Sequence, residues 1–139
     1  KRESITGVDQ KYYDFVKQAL YGVVNEGGTG TKAKLDGYDV CGKTGTVQIV
    51  GTERGGNLAQ TAKNEFGYHA WFVSFAPLSD PQVALAVLVE HGGHGADAAA
   101  PLAQKILEAY FKERNIPPLH PPRAQQVASK LPANSESPR

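Results

Sequence analysis

A single cysteine, almost no net charge and no long apolar run mark this chain by what it withholds. Cys41 has no second thiol to pair with, which excludes an intrachain disulfide and leaves the redox compartment open. A nucleophilic role would need a base placed beside it, and the sequence offers none, so Cys41 reads as a small buried apolar residue. Fifteen Lys and Arg against 14 Asp and Glu give a formal net charge of +1, with the cations dispersed. That balance gives no footprint for nucleic acid. No apolar stretch approaches the roughly 18 residues needed to span a bilayer, and the N-terminus carries no signal-peptide pattern. No direct membrane contact is expected of this segment. With 139 residues, 40% apolar and 21% charged, the chain holds enough for one modest core, hence one domain or part of one.

What is present centres on Cys41-Gly42-Lys43-Thr44-Gly45-Thr46-Val47-Gln48-Ile49-Val50. β-Branched residues dominate it and no helical apolar spacing follows, so Lys43 is expected on a strand. Gly45 removes a side chain that would hold another chain away, and a substrate could lie alongside as an added strand. Lys43 supplies a fixed charge beside that gap, worth roughly 4 kcal/mol against a carboxylate at about 4 Å and an effective dielectric of about 20. The hydroxyls of Thr44 and Thr46 add hydrogen bonds, and the group suits a peptide or peptide mimic bearing a carboxylate. The same residues also complete Gly37-Tyr38-Asp39-Val40-Cys41-Gly42-Lys43-Thr44, a literal G-x-x-x-x-G-K-T phosphate loop. A phosphate loop needs a buried strand before its glycines and a helix after Lys-Thr. The upstream Thr31 to Asp36 is too polar and the downstream Thr46 to Val50 is strand-like, so the context fails.

Around this stretch, Asp9 is placed to cap a helix whose Tyr12, Val16, Ala19, Leu20, Val23 and Val24 recur at helical spacing. Gly27 and Gly28 end it. Gly27-Gly28-Thr29-Gly30-Thr31 has the composition of a weak anion cradle and reads more simply as a connector. Gly51 to Gly67 is a polar, glycine-broken loop with one helical turn expected around Leu58 to Lys63, a candidate lid or partner-facing flap. His69 to Ala76 and Gln82 to Glu90 read as two strands joined by a short turn. The second is nearly all apolar and is expected to be a central strand covered on both faces. Trp71 is expected to anchor the core. His69, His91 and His94 invite a metal reading, but no carboxylate or thiolate set accompanies them, and no metal is expected. Pro101 suits the first turn of a helix whose Ala103, Ile106, Leu107, Tyr110 and Phe111 share a face. The expected fold is α+β: three antiparallel strands packed by an N-terminal and a C-terminal helix over residues 1–115. Residues 116–139, rich in Pro, Ser and charge, are expected to be a disordered tail.

Lys43-Thr44-Gly45-Thr46 with Gln48, the later His69-Ala70-Trp71-Phe72-Val73-Ser74-Phe75-Ala76-Pro77, and Ala99-Ala100-Pro101 before a helix together resemble the C-terminal part of a penicillin-binding transpeptidase. The resemblance runs from about Tyr12 to Arg114 and is to the class B type that includes penicillin-binding protein 2. In that family Lys-Thr-Gly is the third active-site motif, after S-x-x-K and S-x-N. None of Ser4, Ser74, Ser79, Ser129, Ser135 or Ser137 has lysine three positions on or asparagine two positions on. The nucleophile is therefore not in this chain, and the chain is an incomplete penicillin-binding or serine β-lactamase-like fold.

The resemblance implies a serine D,D-transpeptidase that cross-links peptidoglycan stem peptides ending in D-Ala-D-Ala and is acylated by β-lactam antibiotics, with no cofactor. It implies that Lys43 sets the electrostatics and reaches toward the S-x-N serine, and that Thr44 and Thr46 hold the substrate carboxylate around Gly45. The Thr46 backbone N–H would be one oxyanion donor. It implies an address outside the bacterial cytoplasmic membrane, an anchor encoded upstream, and a membrane glycosyltransferase as partner of the whole protein. A β-lactamase or β-lactam sensor would use the same motif, and a non-catalytic interaction module is the alternative outside enzymology. Strand alternation puts Lys43 and Thr46 on opposite faces, so a shared role requires twist or an edge position.

Overall fold

A computed structural model describes residues 7–48 and 67–120. In order these form α1 (Gln10–Asn25), a 3-10 turn (Thr31–Ala33), β1 (Cys41–Gln48), β2 (Tyr68–Ala76), β3 (Val83–Val89) and α2 (Ala99–Glu113). The strands make one antiparallel sheet in the order β1-β2-β3. The expected lid, its helical turn and the strand residues Ile49 and Val50 lie outside the described residues.

Asp9 caps α1, its carboxylate accepting from the Lys11 N–H at 3.1 Å, and Gly27 turns the chain away with φ at +85°. Only the last turns of α1 reach the core, where Val24 is fully buried. The start of the expected apolar face is open: Tyr12 and Val16 are more than half exposed, as is Phe15 beside them, because no described residue covers the first turns of the helix. The apolar spacing of Tyr12 and Val16 is therefore present without the cover that would bury it.

Strand alternation sorts the sheet into two faces. Thr44 and Thr46 share the inner face with Ala70, Phe72 and Ser74 of β2 and with Leu85 and Val87 of β3; Lys43 and Gly45 share the outer face with Trp71 and Val73. α2 closes the inner face. Ala99, Ala100 and Ala103 let its backbone come close, while Leu107 and Phe111 fill the space beyond, and all five are buried. Tyr38 stacks on Phe111 with ring centroids 4.2 Å apart. Ile106, expected on the packed face of α2, is instead half exposed.

β3 departs from its sequence pattern. It is an edge of the described sheet rather than a central strand, and Ala84, Ala86 and Leu88 are exposed while Val87 is buried. A continuous apolar run signals two coverable faces; here α2 covers one, and no described residue covers the other. The proline-rich segment after Asn115, expected to open a disordered tail, stays on the fold through His120. Tyr38 Oη donates to the Ile116 carbonyl at 2.8 Å, the Leu119 N–H donates to the Gly37 carbonyl at 2.8 Å, and His120 Nε2 lies 3.2 Å from Asp39 Oδ2. Among the described residues no helix is long and apolar enough to cross a membrane.

Gly42 is a packing residue. A Cβ built on it would stand 2.5 Å from Cζ of Phe72, which is fully buried. A Cβ there would also stand 2.8 Å from the Val73 carbonyl oxygen, so Gly42→Ala should cost about 1–3 kcal/mol of unfolding free energy by forcing the ring and the facing backbone aside. Urea unfolding checks this, and an unchanged midpoint would show that the ring has room to move.

Candidate active site

β1 pairs with β2 on one side, and no described strand pairs with its other side. Which backbone groups face that open edge follows from Gly95. A Cβ built on Gly95 would lie 2.5 Å from the Gly45 oxygen, 3.0 Å from the Gly45 nitrogen and closer still to the Trp71 carbonyl oxygen. Three such atoms gather at one point only if Gly45 and Trp71, which are partners in register, exchange their backbone hydrogen bonds. Gly45 thus turns its N–H and C=O toward β2, and Thr44 and Thr46 turn theirs to the open edge.

Lys43 reaches the same edge. Its exposed ammonium donates to the Thr44 carbonyl at 2.9 Å and has no carboxylate within ion-pair distance among the described residues. Lys43 and Thr46 do stand on opposite faces, as alternation demands. The edge brings together what the faces separate, because the lysine folds around to it and the Thr46 N–H points out along it. Gly45 leaves its missing side chain on the Lys43 face, where among the described residues a Cβ would meet only Trp71, at 3.1 Å from its Cβ. Trp71 is half-buried there rather than set in the core.

The two threonine hydroxyls point to the inner face, and each meets a neighbouring loop. Thr44 Oγ1 lies 2.8 Å from Thr29 Oγ1, and the Gly95 N–H faces Thr46 Oγ1 at 3.5 Å. Lys32, in the 3-10 turn, joins the two loops by donating to Asp97 at 2.7 Å, and that bond holds the Asp97 carboxyl below its usual range. Thr29 lies in the segment read as a connector with the composition of a weak anion cradle, whereas Gly95 and the Lys32–Asp97 pair carry no signal of their own as site residues in the sequence. The only signal was that two glycine-rich segments flank the motif strand.

The competing motifs resolve locally. A strand, not a helix, continues from Lys43-Thr44, so the helix that a phosphate loop places directly after its Lys-Thr is not there. His69 and His91 meet edge to face with centroids 5.3 Å apart, and His69 Nδ1 accepts from the His91 N–H at 3.1 Å. His94 instead stacks on Tyr68. Among the described residues no three His, Cys, Asp or Glu side chains converge as a metal set.

Cys41 opens β1 and is fully buried. Burial pushes its thiol up to about 11, the nearby Asp39 charge adding to the shift and Lys17 opposing it. The unfolded thiol ionises first, so folding stability attributable to Cys41 is whole below about pH 8.5 and is lost as pH rises toward the folded value. Urea unfolding at pH 8 and pH 10.5 should show a larger alkaline loss for the unsubstituted chain than for Cys41→Ala. Equal losses would mean that the thiol is not sequestered.

Comparison with known proteins supplies the family. The family described as penicillin binding protein transpeptidase domain matches residues 2–108. The peptidoglycan D,D-transpeptidase MrdA of Haemophilus influenzae is 37% identical over 105 residues, covering 73% of this chain but only 16% of that protein. The apo transpeptidase domain of Burkholderia pseudomallei penicillin-binding protein 3 superposes with a TM-score of 0.63 at 29% identity, covering 80% of this chain and 32% of that one. Mycobacterium tuberculosis penicillin-binding protein 3 complexed with ampicillin gives a TM-score of 0.64 at 26% identity, over 84% of this chain and 27% of that one. A three-stranded antiparallel sheet flanked by two helices, with Lys-Thr-Gly on an edge strand, therefore has a family: the chain belongs to the penicillin-binding protein transpeptidase domains.

Proposed function

We propose that this chain is the Lys-Thr-Gly wall of a serine D,D-transpeptidase of the class B, penicillin-binding protein 2 type, which cross-links peptidoglycan stem peptides. The observation that carries this is the open edge of β1, where the Lys43 ammonium, the Thr44 carbonyl and the Thr46 N–H stand together. An extended stem peptide ending in D-Ala-D-Ala adds to that edge as a strand, its carbonyls and N–H groups meeting those of Thr44 and Thr46. Its terminal carboxylate is held by the hydroxyls of Thr44 and Thr46, with Gly45 leaving room for the peptide.

The reaction needs a serine that this chain does not carry, supplied by the S-x-x-K motif of the longer protein. Its Oγ attacks the penultimate D-Ala carbonyl, and the Thr46 N–H donates to the oxygen as it gains charge. The tetrahedral centre collapses with expulsion of the terminal D-Ala, leaving an acyl-enzyme, and the amine of a second stem peptide displaces the serine to complete the cross-link. Lys43 lowers the cost of negative charge throughout and reaches toward the S-x-N serine. β-Lactams enter as mimics of the same substrate, an ability consistent with the ampicillin complex of the related mycobacterial protein. The cross-linking role places the whole protein on the outer side of the bacterial cytoplasmic membrane, with an anchor outside this chain and a membrane glycosyltransferase supplying its glycan strands.

Two outcomes are expected. In the longer protein, Lys43→Ala should slow acylation by a fluorescent penicillin by about 10²-fold or more; an unchanged rate removes Lys43 from the mechanism. The 139-residue chain alone should show no added mass after incubation with penicillin. A covalent adduct on it would mean that a nucleophile of its own had been overlooked.

A further inference from the structure

The connector between α1 and β1 does more than span a gap. Resting on the reading that Thr44 holds the substrate carboxylate, we propose that Thr29 is a positioning residue: its hydroxyl donates to Thr44 Oγ1 and so leaves the Thr44 proton for the substrate. The two oxygens stand 2.8 Å apart. Each hydroxyl has one proton to give, and a carboxylate can only accept. When the carboxylate occupies the site, the Thr44 proton must point at it, so the bond between the two threonines must run from Thr29 to Thr44. Thr46 has the same polarity by necessity, since the Gly95 N–H beside its oxygen can only donate. Two donors from behind thus turn two hydroxyls into donors in front, and each bond in such a chain polarises the next.

The connector is built to hold Thr29 still. A Cβ on Gly28 would stand 2.6 Å from the Val23 Cα, and one on Gly30 would stand 3.1 Å from Val23 Cγ1 and 3.3 Å from the Phe72 ring. The Gly30 N–H donates to the Val23 carbonyl at 3.0 Å. The glycines on either side of Thr29 are therefore pressed against the end of α1 and the core. Lys32, just beyond, fastens the connector to Asp97 on the loop that carries Gly95. Thr29 itself is exposed, so its side chain has no packing duty to confuse with this one.

The test uses the longer, naturally occurring protein and compares acylation by a penicillin with acylation by the methyl ester of the same penicillin. Thr29→Val should slow the carboxylate form about tenfold and leave the ester unchanged, because the lost donor serves only the carboxylate. Thr29→Ser should restore the preference for the carboxylate. Thr29→Asp, which only accepts and adds a negative charge, should fall below Thr29→Val. If Thr29 merely held the loop, Thr29→Val would slow both compounds alike, and the proposal would be overturned. Lys43→Ala serves as the reference. If it slows acylation while Thr29→Val leaves the carboxylate preference intact, the role of Thr29 fails alone; if Lys43→Ala has no effect, the reading of the whole site fails with it.

Discussion

The register between β1 and β2 is the constraint on which the rest of this structure depends. A slip of one residue would exchange the faces of Lys43 and Thr44, put the threonine hydroxyls where the lysine stem lies, and turn the Thr46 N–H from the open edge to the sheet. Turn geometry cannot fix that register closely over so long a connection. Packing does it instead. Gly42 admits the Phe72 ring from the facing strand, and Gly95 lies flat over the bonded pair of Gly45 and Trp71. At each contact anything larger than glycine forces its neighbours to shift, so a slipped pairing would drive a side chain into one or the other.

From that register the chemistry divides cleanly. The outer face and the open edge carry the charge, and the inner face carries the hydroxyls and joins them to the protein's own loops. α2 stabilises this arrangement from below through Leu107 and Phe111, and the stack of Phe111 on Tyr38 extends the support to the turn that leads into β1. The site is therefore an edge backed by a core, with its polar groups displayed on a strand rather than on a loop. Such placement holds donors in fixed directions, which is what the proposed stabilisation of developing charge requires.

Much of this was legible in the sequence, and what was not has physical causes. β-Branched alternation and turn chemistry located all three strands, and Asp9 with Gly27 bracketed α1 to within a residue. The motif around Lys43 carried the family. Coverage was illegible: the apolar run of β3 and the residues Tyr12, Val16 and Ile106 are hydrophobic enough to be buried, and whether they are depends on which neighbour arrives. The glycines were illegible in a different way. Gly42 suited a phosphate loop as a string, yet its use is to admit Phe72, a residue far along the chain. The bond between Thr29 and Thr44 likewise joins segments that no local pattern connects. Proline content after Asn115 suggested a free tail because composition reports what a segment can bury, whereas Leu119 and His120 are held by backbone hydrogen bonds that any residue but proline could make.

That last attachment ties two distant parts of the polypeptide into one mechanical unit. Leu119 and His120 both donate to the carbonyl of Gly37, whose φ of +87° turns the chain just before β1 begins. Pro118 occupies the space where a side chain at that position would sit. A pull or displacement applied beyond α2 is thus delivered to the base of β1 instead of being lost in solvent. Sequence variation in this short proline-rich strap is variation in the footing of β1, the strand that carries Lys43.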